Sequence, residues 1–172
     1  MPRCAFAKSP DNIVLVNTIV IYYKQTLRRI SNIMREELKE KIKEYFENRK
    51  DVIAVYLFGS YARGKERNLS DIDLGILLEG GDPGYFAEKR NDFIVELGRI
   101  TRKDIDPVIM NTAGQVVLKQ IFLKGNCLLV KDSKKLARYK TVMFAGIAEL
   151  GFYRRHMQSG LIQKIMEESK IG

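Results

Sequence analysis

Apolar residues follow two alternating spacings along most of the chain, one typical of helices and one typical of strands. In residues 35–49, for example, Leu38, Ile42 and Phe46 recur at helical spacing among Glu and Lys neighbours. The pattern predicts helices over 35–49, 85–99, 113–124 and 133–158, and strands over 52–58, 71–78, 105–110 and 127–130. Alternating helices and strands indicate a layered α/β domain.

The first 33 residues follow a different pattern. Residues 13–23 form a mostly apolar run, with Lys24, Arg28 and Arg29 after it. The run is too short to span a bilayer, and no small-residue cleavage site of a signal peptide follows it. Three interpretations remain open: a strand or helix added to the domain, a surface anchor, or an extension upstream of the natural start, since Met34 opens a clean helical segment.

The last predicted helix carries an apolar seam of about three heptads. Its members are Leu136, Tyr139, Met143, Gly146, Leu150, Tyr153 and Met157. We expect the first half to pack on its own domain. The second half is rich in aromatic, Arg and Met residues, a composition typical of protein interfaces, and Ser159-Gly160 should interrupt the helix. The predicted organisation is an N-terminal extension (1–33), a central domain (34–131) and a helical segment that could bind a partner (132–172).

Composition narrows the class of protein. The 172 residues are 45% hydrophobic and 30% charged, which fits a globular protein and excludes a disordered one. The net charge of +9 divides into +4 for residues 1–33, +1 for 34–131 and +4 for 132–172. Basic ends suggest an acidic partner or RNA, but we favour surface solubility as their explanation and expect no specific nucleic-acid binding and no membrane association.

Cysteine and histidine are scarce. Cys4 and Cys127 form no CxxC pair and no disulfide framework, which favours a reducing cytoplasm. His156 is the only histidine, so histidine-rich metal sites are excluded. It has no evident partner in sequence, and we interpret it as an ordinary helix residue.

Residues 59–74, GSYARGKERNLSDIDL, combine features of a phosphate-binding loop. A buried strand leads to Gly59 and Ser60, whose small side chains let the backbone approach a ligand closely. N–H groups at the following helix start, with the Ser60 hydroxyl, can hold phosphate oxygens. The basic residues of the loop offer positive charge to a polyphosphate. They are Arg63, Lys65 and Arg67.

Two carboxylates follow this loop at the start of a predicted strand. Asp71 and Asp73 share one face because side chains alternate along a strand. Such a pair repels itself unless a divalent cation is shared, and Mg²⁺ binds through one or two carboxylates plus substrate phosphates. The next strand offers a third carboxylate, Asp106, with Asp104 on the same face, which is the arrangement of metal-dependent phosphoryl and nucleotidyl transfer.

Ser60, ten intervening residues and Asp71-x-Asp73 resemble the GS-x10-DxD signature of the DNA polymerase beta nucleotidyltransferase superfamily. GSYARG and SDIDLGI are similar to the minimal nucleotidyltransferases, the MNT-type proteins, and the resemblance covers roughly residues 36–131. It implies a nucleotidyltransferase fold of class α/β (α+β), with a small mixed sheet flanked by helices and a long C-terminal helix.

The resemblance also implies roles for individual residues. Gly59 and Ser60 would bind the β- and γ-phosphates, and Asp71 and Asp73 would hold metal. Asp106 would complete the metal site and could act as the base for an acceptor hydroxyl. From their place in the loop we expect Arg63 and Lys65 to contact the triphosphate. Pro107 departs from the aliphatic residue usual there, which leaves Asp104 as an alternative third carboxylate.

The function implied is a Mg²⁺-dependent transfer of AMP from ATP to a hydroxyl. Small MNT-type proteins usually act as antitoxins beside a HEPN-domain ribonuclease toxin, so the implied acceptor is a tyrosine of that toxin. Two alternatives stay open: a non-catalytic antitoxin that binds nucleotide and occludes its partner, and a small-molecule nucleotidyltransferase. Homo-oligomerisation also stays open.

Overall fold

The computed structural model describes residues 10–67 and 70–168, and within these the side chains of 20–67, 70–149 and 151. The chain divides into two compact units, Met1–Lys41 and Ile42–Gly172. The helices are α1 (Pro10–Glu47), α2 (Gly59–Ala62), α3 (Pro83–Thr101), α4 (Gln115–Lys124) and α5 (Ser133–Glu168). The strands are β1 (Val52–Leu57), β2 (Ile72–Leu78), β3 (Ile105–Ile109) and β4 (Asn126–Val130).

The four strands form one mixed sheet in the order β3-β2-β1-β4. β1 is antiparallel to β2 and to β4, whereas β2 is parallel to β3. The predicted fold class is therefore confirmed, and each predicted strand was placed to within one residue at either end. β1 and β2 are central and almost completely buried, which explains why β1 is entirely apolar and β2 is apolar except for Asp73 and Gly75.

Helices cover both faces of the sheet in the second unit. On one face, Ile42 and Phe46 at the end of α1 are fully buried, and the Phe46 ring meets the Phe93 ring of α3 edge to face at 5.3 Å. On the other face, Ile121 of α4 and Leu136 and Met143 of α5 join one core cluster with residues of β1 and β2. The first half of the predicted α5 seam is thus confirmed as core.

The first unit consists of helix from Pro10 onward in its described part, 25 residues before the predicted helix start. Of the structures expected for the N-terminal run, the helix is the one found, and the strand alternative was wrong. Large apolar side chains of this segment are exposed. They are Val20, Ile21, Tyr22, Tyr23, Leu27, Ile30, Ile33 and Met34. Whether residues 1–33 anchor the chain or precede the natural start stays a prediction.

The interruption expected at Ser159-Gly160 was wrong, because α5 continues to Glu168. Ser and Gly lower helix propensity by only about 1 kcal/mol, less than the 3 kcal/mol or so typical of proline. The side chains of Tyr153, His156 and Met157 lie outside the described residues, so the partner surface expected there stays a prediction. Among the helices in the described ranges, none has both the length and the apolar character required to cross a membrane.

Candidate active site

The phosphate-binding motif forms a tight turn at the end of β1. Gly59 begins the one-turn helix α2 with φ of +68°, a left-handed value that favours glycine. A Cβ atom at this position would lie 1.8 Å from Oδ2 of Asp73, so any other residue would collide with that carboxylate. The backbone N–H of Phe58 donates to the Asp73 carbonyl at 3.0 Å. The turn and Asp73 are thereby held together, as the sequence motif requires.

Asp73 lies at the centre of the candidate site. It is partly buried, and the backbone N–H of Ser60 donates to its carboxylate. Burial raises the pKa of Asp73 above its usual range, and the charges of Asp106 and Asp71 raise this pKa further. The Ser60 N–H and the Arg63 guanidinium act in the opposite direction. Asp106 and Asp71 are therefore near enough to disfavour the charge of Asp73, and a cation would lower this repulsion.

Asp106 lies directly beside Asp73 on the neighbouring strand. The parallel register of β2 and β3 pairs the Cα atoms of these two residues, so their side chains project from the same face. Asp104 is exposed and precedes β3, and its carbonyl accepts from the N–H of Ile72. The geometry thus brings Asp106 to Asp73, and it places Asp104 at the level of Asp71, nearer the start of the strands.

Pro107 is accommodated because β3 is an edge strand. The Asp104 carbonyl and the Met110 N–H both form hydrogen bonds with β2. The backbone groups of even-numbered residues in β3 therefore point towards β2, and those of the odd-numbered residues, including Pro107, point away from the sheet. A proline at an outward position removes no hydrogen bond of the ladder. The departure from the family pattern therefore leaves the register of Asp106 unchanged.

The sequence did not identify Arg90, which contacts Asp106 from α3. Its Nη2 donates to Oδ1 of Asp106 at 3.0 Å, and its Nε donates to the Pro107 carbonyl at 2.9 Å. One signal was present: Phe86, Arg90, Phe93 and Leu97 are spaced four, three and four residues apart. A basic residue on an otherwise apolar helical stripe indicates an acidic partner.

The basic loop after α2 is exposed. Arg63 turns back on the motif, and its Nε donates to the Gly59 carbonyl at 2.9 Å. The backbone N–H of Lys65 donates to the Ser60 carbonyl at 3.0 Å, which closes the loop around α2. The side chains of Lys65 and Arg67 are exposed to solvent. Arg63 is thus brought to the carboxylates, whereas Lys65 and Arg67 border the loop.

The donor set fits a hard divalent cation. In the described parts of the chain no three Asp, Glu, His or Cys side chains are grouped closely enough to hold a metal ion. Burial, followed by the charge of Asp106, raises the pKa of Asp73, and a cation beside these carboxylates would offset part of that cost. Oxygen ligands of this kind, beside a turn suited to phosphate, match the preference of Mg²⁺ for carboxylates plus substrate phosphates.

Comparison with known proteins identifies the class to which this site belongs. The chain is a member of the polymerase beta nucleotidyltransferase family, because the family model described as "Polymerase beta, Nucleotidyltransferase" matches residues 40–134. The matched region contains both parts of the motif and Asp106. A comparison with curated proteins found no match.

Solved structures with the same fold come from toxin–antitoxin complexes. A toxin–antitoxin structure determined with AMP-PNP has 22% sequence identity and a TM-score of 0.59, covering 72% of this chain and 98% of its own. A second match is a chain from the structure of a tri-AMPylated Shewanella oneidensis HEPN toxin in complex with MNT antitoxin. Its sequence identity is 20% and its TM-score is 0.56, and the match covers 74% of this chain and 98% of that chain. At these identities the likeness establishes the fold.

Proposed function

We propose that this protein transfers AMP from ATP to a hydroxyl group, and that the acceptor is a tyrosine of a partner HEPN toxin. The observation that carries the proposal is the pairing of Asp73 with Asp106 across parallel strands, beside the Ser60 turn. Membership of the nucleotidyltransferase family supports the reaction class. The cysteine pattern supports a cytoplasmic location.

In this reaction each site residue would have a distinct role. Ser60 and the α2 backbone bind the terminal phosphates, and Arg63 and Lys65 neutralise their charge. Asp71, Asp73 and Asp106 would hold Mg²⁺, which when bound supplies charge stabilisation to the phosphates. The acceptor oxygen forms a bond to the α-phosphorus. The bond between that phosphorus and the oxygen that bridges it to the β-phosphorus breaks, and pyrophosphate leaves with this oxygen. The acceptor proton passes to the Asp106 carboxylate.

The choice of acceptor rests on the structural neighbours. One neighbour is an MNT antitoxin in complex with an AMPylated HEPN toxin, and another toxin–antitoxin structure was determined with AMP-PNP. Neither structure identifies the acceptor of this chain. The described part of the chain is one small catalytic unit with the α1 extension, so a partner would have to bring the acceptor to the site.

The deciding experiment follows label from ATP labelled at the α-phosphate, with Mg²⁺ and the protein encoded beside this gene. We expect label on the partner with the wild type and none with Asp71→Ala/Asp73→Ala. A matched control is Asp92→Ala, which removes an acid from α3 whose charge acts on Tyr45 and is not among those that shift the pKa of Asp73. Label that persists in the double variant would exclude the assigned carboxylates, and absence of label with the wild type would exclude the acceptor.

A second function is favoured by one observation. No three described Asp, Glu, His or Cys side chains are grouped closely enough to hold a metal ion. A non-catalytic antitoxin that occludes its partner would accept such a site. Stable complex formation without label transfer supports this alternative. If neither label nor complex appears, small hydroxylated compounds become the acceptors to screen.

A further inference from the structure

We propose that Arg90 is a positioning residue: by binding Oδ1, it holds the Asp106 carboxylate in one orientation, so that Asp106 could serve as a cation ligand. The inference rests on the proposed function. It assigns a role to a side chain that belongs to neither part of the sequence motif and lies on a different element.

Arg90 is held on a firmly packed helix. Phe86, Phe93 and Leu97, which share its stripe on α3, are buried. The helix begins at a capped N-terminus, where the Asp82 carboxylate accepts from the Tyr85 N–H at 2.9 Å. The backbone of Arg90 therefore has little freedom, and its side chain reaches across to β3 from a defined position.

Two contacts fix the guanidinium at different atoms. Nε donates to the Pro107 carbonyl and Nη2 donates to Oδ1 of Asp106, so the planar group spans the backbone and the carboxylate. The Pro107 carbonyl is available because it points to the outer side of the edge strand. One contact determines where the guanidinium lies, and the other determines where the carboxylate turns.

Asp106 needs such support because of its place in the sheet. Its side chain is 49% exposed, and within the described ranges no further strand lies beyond β3. The outer side of β3 borders a groove of about 430 Å³ whose lining includes Phe86, Arg90 and Pro107. The charges of Asp73 and Asp71 favour rotation of the Asp106 carboxylate away from them, towards solvent. The contact with Arg90 opposes that rotation.

An exposed ion pair by itself contributes little to stability, so the expected effect concerns orientation. Simple electrostatics and positioning predict opposite changes in cation affinity when Arg90 is removed. Removal of a positive charge beside a carboxylate would tighten cation binding, whereas loss of an oriented ligand weakens it. Partners that orient metal ligands typically contribute about 10-fold to 100-fold in metal affinity or activity.

The test compares Arg90→Ala, Arg90→Lys and Arg90→Met in the full chain, with Arg99→Ala as a control. Arg99 is an exposed arginine near the end of the same helix. Mn²⁺ alone is titrated by electron paramagnetic resonance, and kcat and KM for ATP are measured with the partner. We expect Arg90→Ala to weaken Mn²⁺ binding by about tenfold and to lower kcat similarly, while KM for ATP changes by less than about twofold.

The two other variants separate charge from geometry. Lysine keeps the charge but lacks the fork that spans two acceptors, so it should restore only part of the loss. Methionine keeps an apolar side chain on the stripe but has no charge. It should therefore lower Mn²⁺ affinity and kcat as much as alanine does, even if alanine alone lowers the melting temperature. Tighter Mn²⁺ binding in Arg90→Ala, or full rescue by lysine, would overturn the proposal.

The Mn²⁺ titration also separates this inference from the proposed function. If the wild type binds Mn²⁺ through Asp73 but labels no partner, the acceptor assignment fails while the role of Arg90 is still decided by the titration. If the wild type binds no Mn²⁺, both are wrong. An equal loss of Mn²⁺ affinity in Arg99→Ala would show that the effect does not depend on the contact with Asp106, and it would contradict positioning.

Discussion

At the scale of single residues, the carboxylate of Asp73 is held where its charge is disfavoured. Burial and the neighbouring acids raise its pKa, so the folded chain binds a proton at Asp73 more tightly than the unfolded chain does. The stability contributed by this group is therefore complete below the ordinary Asp pKa and is lost as pH rises through the raised value. The ionised Asp73 carboxylate therefore lowers the stability of the fold near neutral pH, and a bound cation can offset this loss.

Asp73→Asn should consequently raise the melting temperature in metal-free buffer at about pH 7, by on the order of 2 °C. The amide oxygen can still accept from the Ser60 N–H, so that hydrogen bond is kept. Thermal melts in EDTA from about pH 3 to 8 give the measurement, and the gain should vanish at the acidic end. A variant less stable than the wild type at every pH would contradict the assigned cause.

Gly59 is constrained twice, by its backbone and by its neighbour. Gly59→Ala must place a Cβ on the Asp73 carboxylate at a positive φ, so both the turn and the carboxylate should shift. We expect activity to fall on the order of a hundredfold, as is typical of a displacement of about 1 Å at reacting groups. Gly80→Ala is the control, because a Cβ there meets nothing within 4 Å. Equal activity in the two variants would show that the close approach is unimportant.

At the scale of elements, α4 packs directly on the backbone of β2. A Cβ at Gly75 would lie 2.9 Å from Cδ1 of Ile121, so β2 and α4 approach closely only because this residue lacks a side chain. Gly75→Val should destabilise the protein by about 1–3 kcal/mol through overpacking, measured by urea unfolding. Gly80→Ala should cost under about 0.5 kcal/mol, because a Cβ there lies in open space.

The elements also show which features the sequence could predict. Strand positions were accurate because β1 is an unbroken apolar run and β2 is apolar except for Asp73 and Gly75, and glycines follow both strands. The motif predicted the neighbourhood of Ser60 and Asp73. The pairing of Asp73 with Asp106 depends on strand register, and the contact of Arg90 depends on helix packing. Both are long-range properties that a local pattern does not contain.

Errors occurred where local signals were weak. The start of α1 was predicted 25 residues late, because an apolar run fits a strand and a helix equally well by periodicity. Ser159-Gly160 was given more weight as a helix breaker than its modest free energy justifies. At Ser159-Gly160 a local preference of about 1 kcal/mol was outweighed by the continuation of a helix already formed.

At the scale of the whole molecule, the residues assigned to catalysis are confined to one of the two units. Gly59, Ser60, Asp71, Asp73 and Asp106 belong to Ile42–Gly172, as do the whole sheet and Arg90. The α1 residues that pack in this unit, Ile42 and Phe46, follow Met34 in sequence. The first unit instead contributes an exposed apolar surface and part of the basic charge.

A chain beginning at Met34 should therefore keep kcat and KM for ATP within about twofold of the full chain, and its melting temperature should change little. The full chain should adsorb more readily to hydrophobic surfaces, because Val20, Leu27 and Ile30 are exposed only in it. Side-by-side kinetics, thermal melts and light scattering test this expectation. A truncated chain that folds but loses activity would mean that residues 1–33 take part in the catalytic unit.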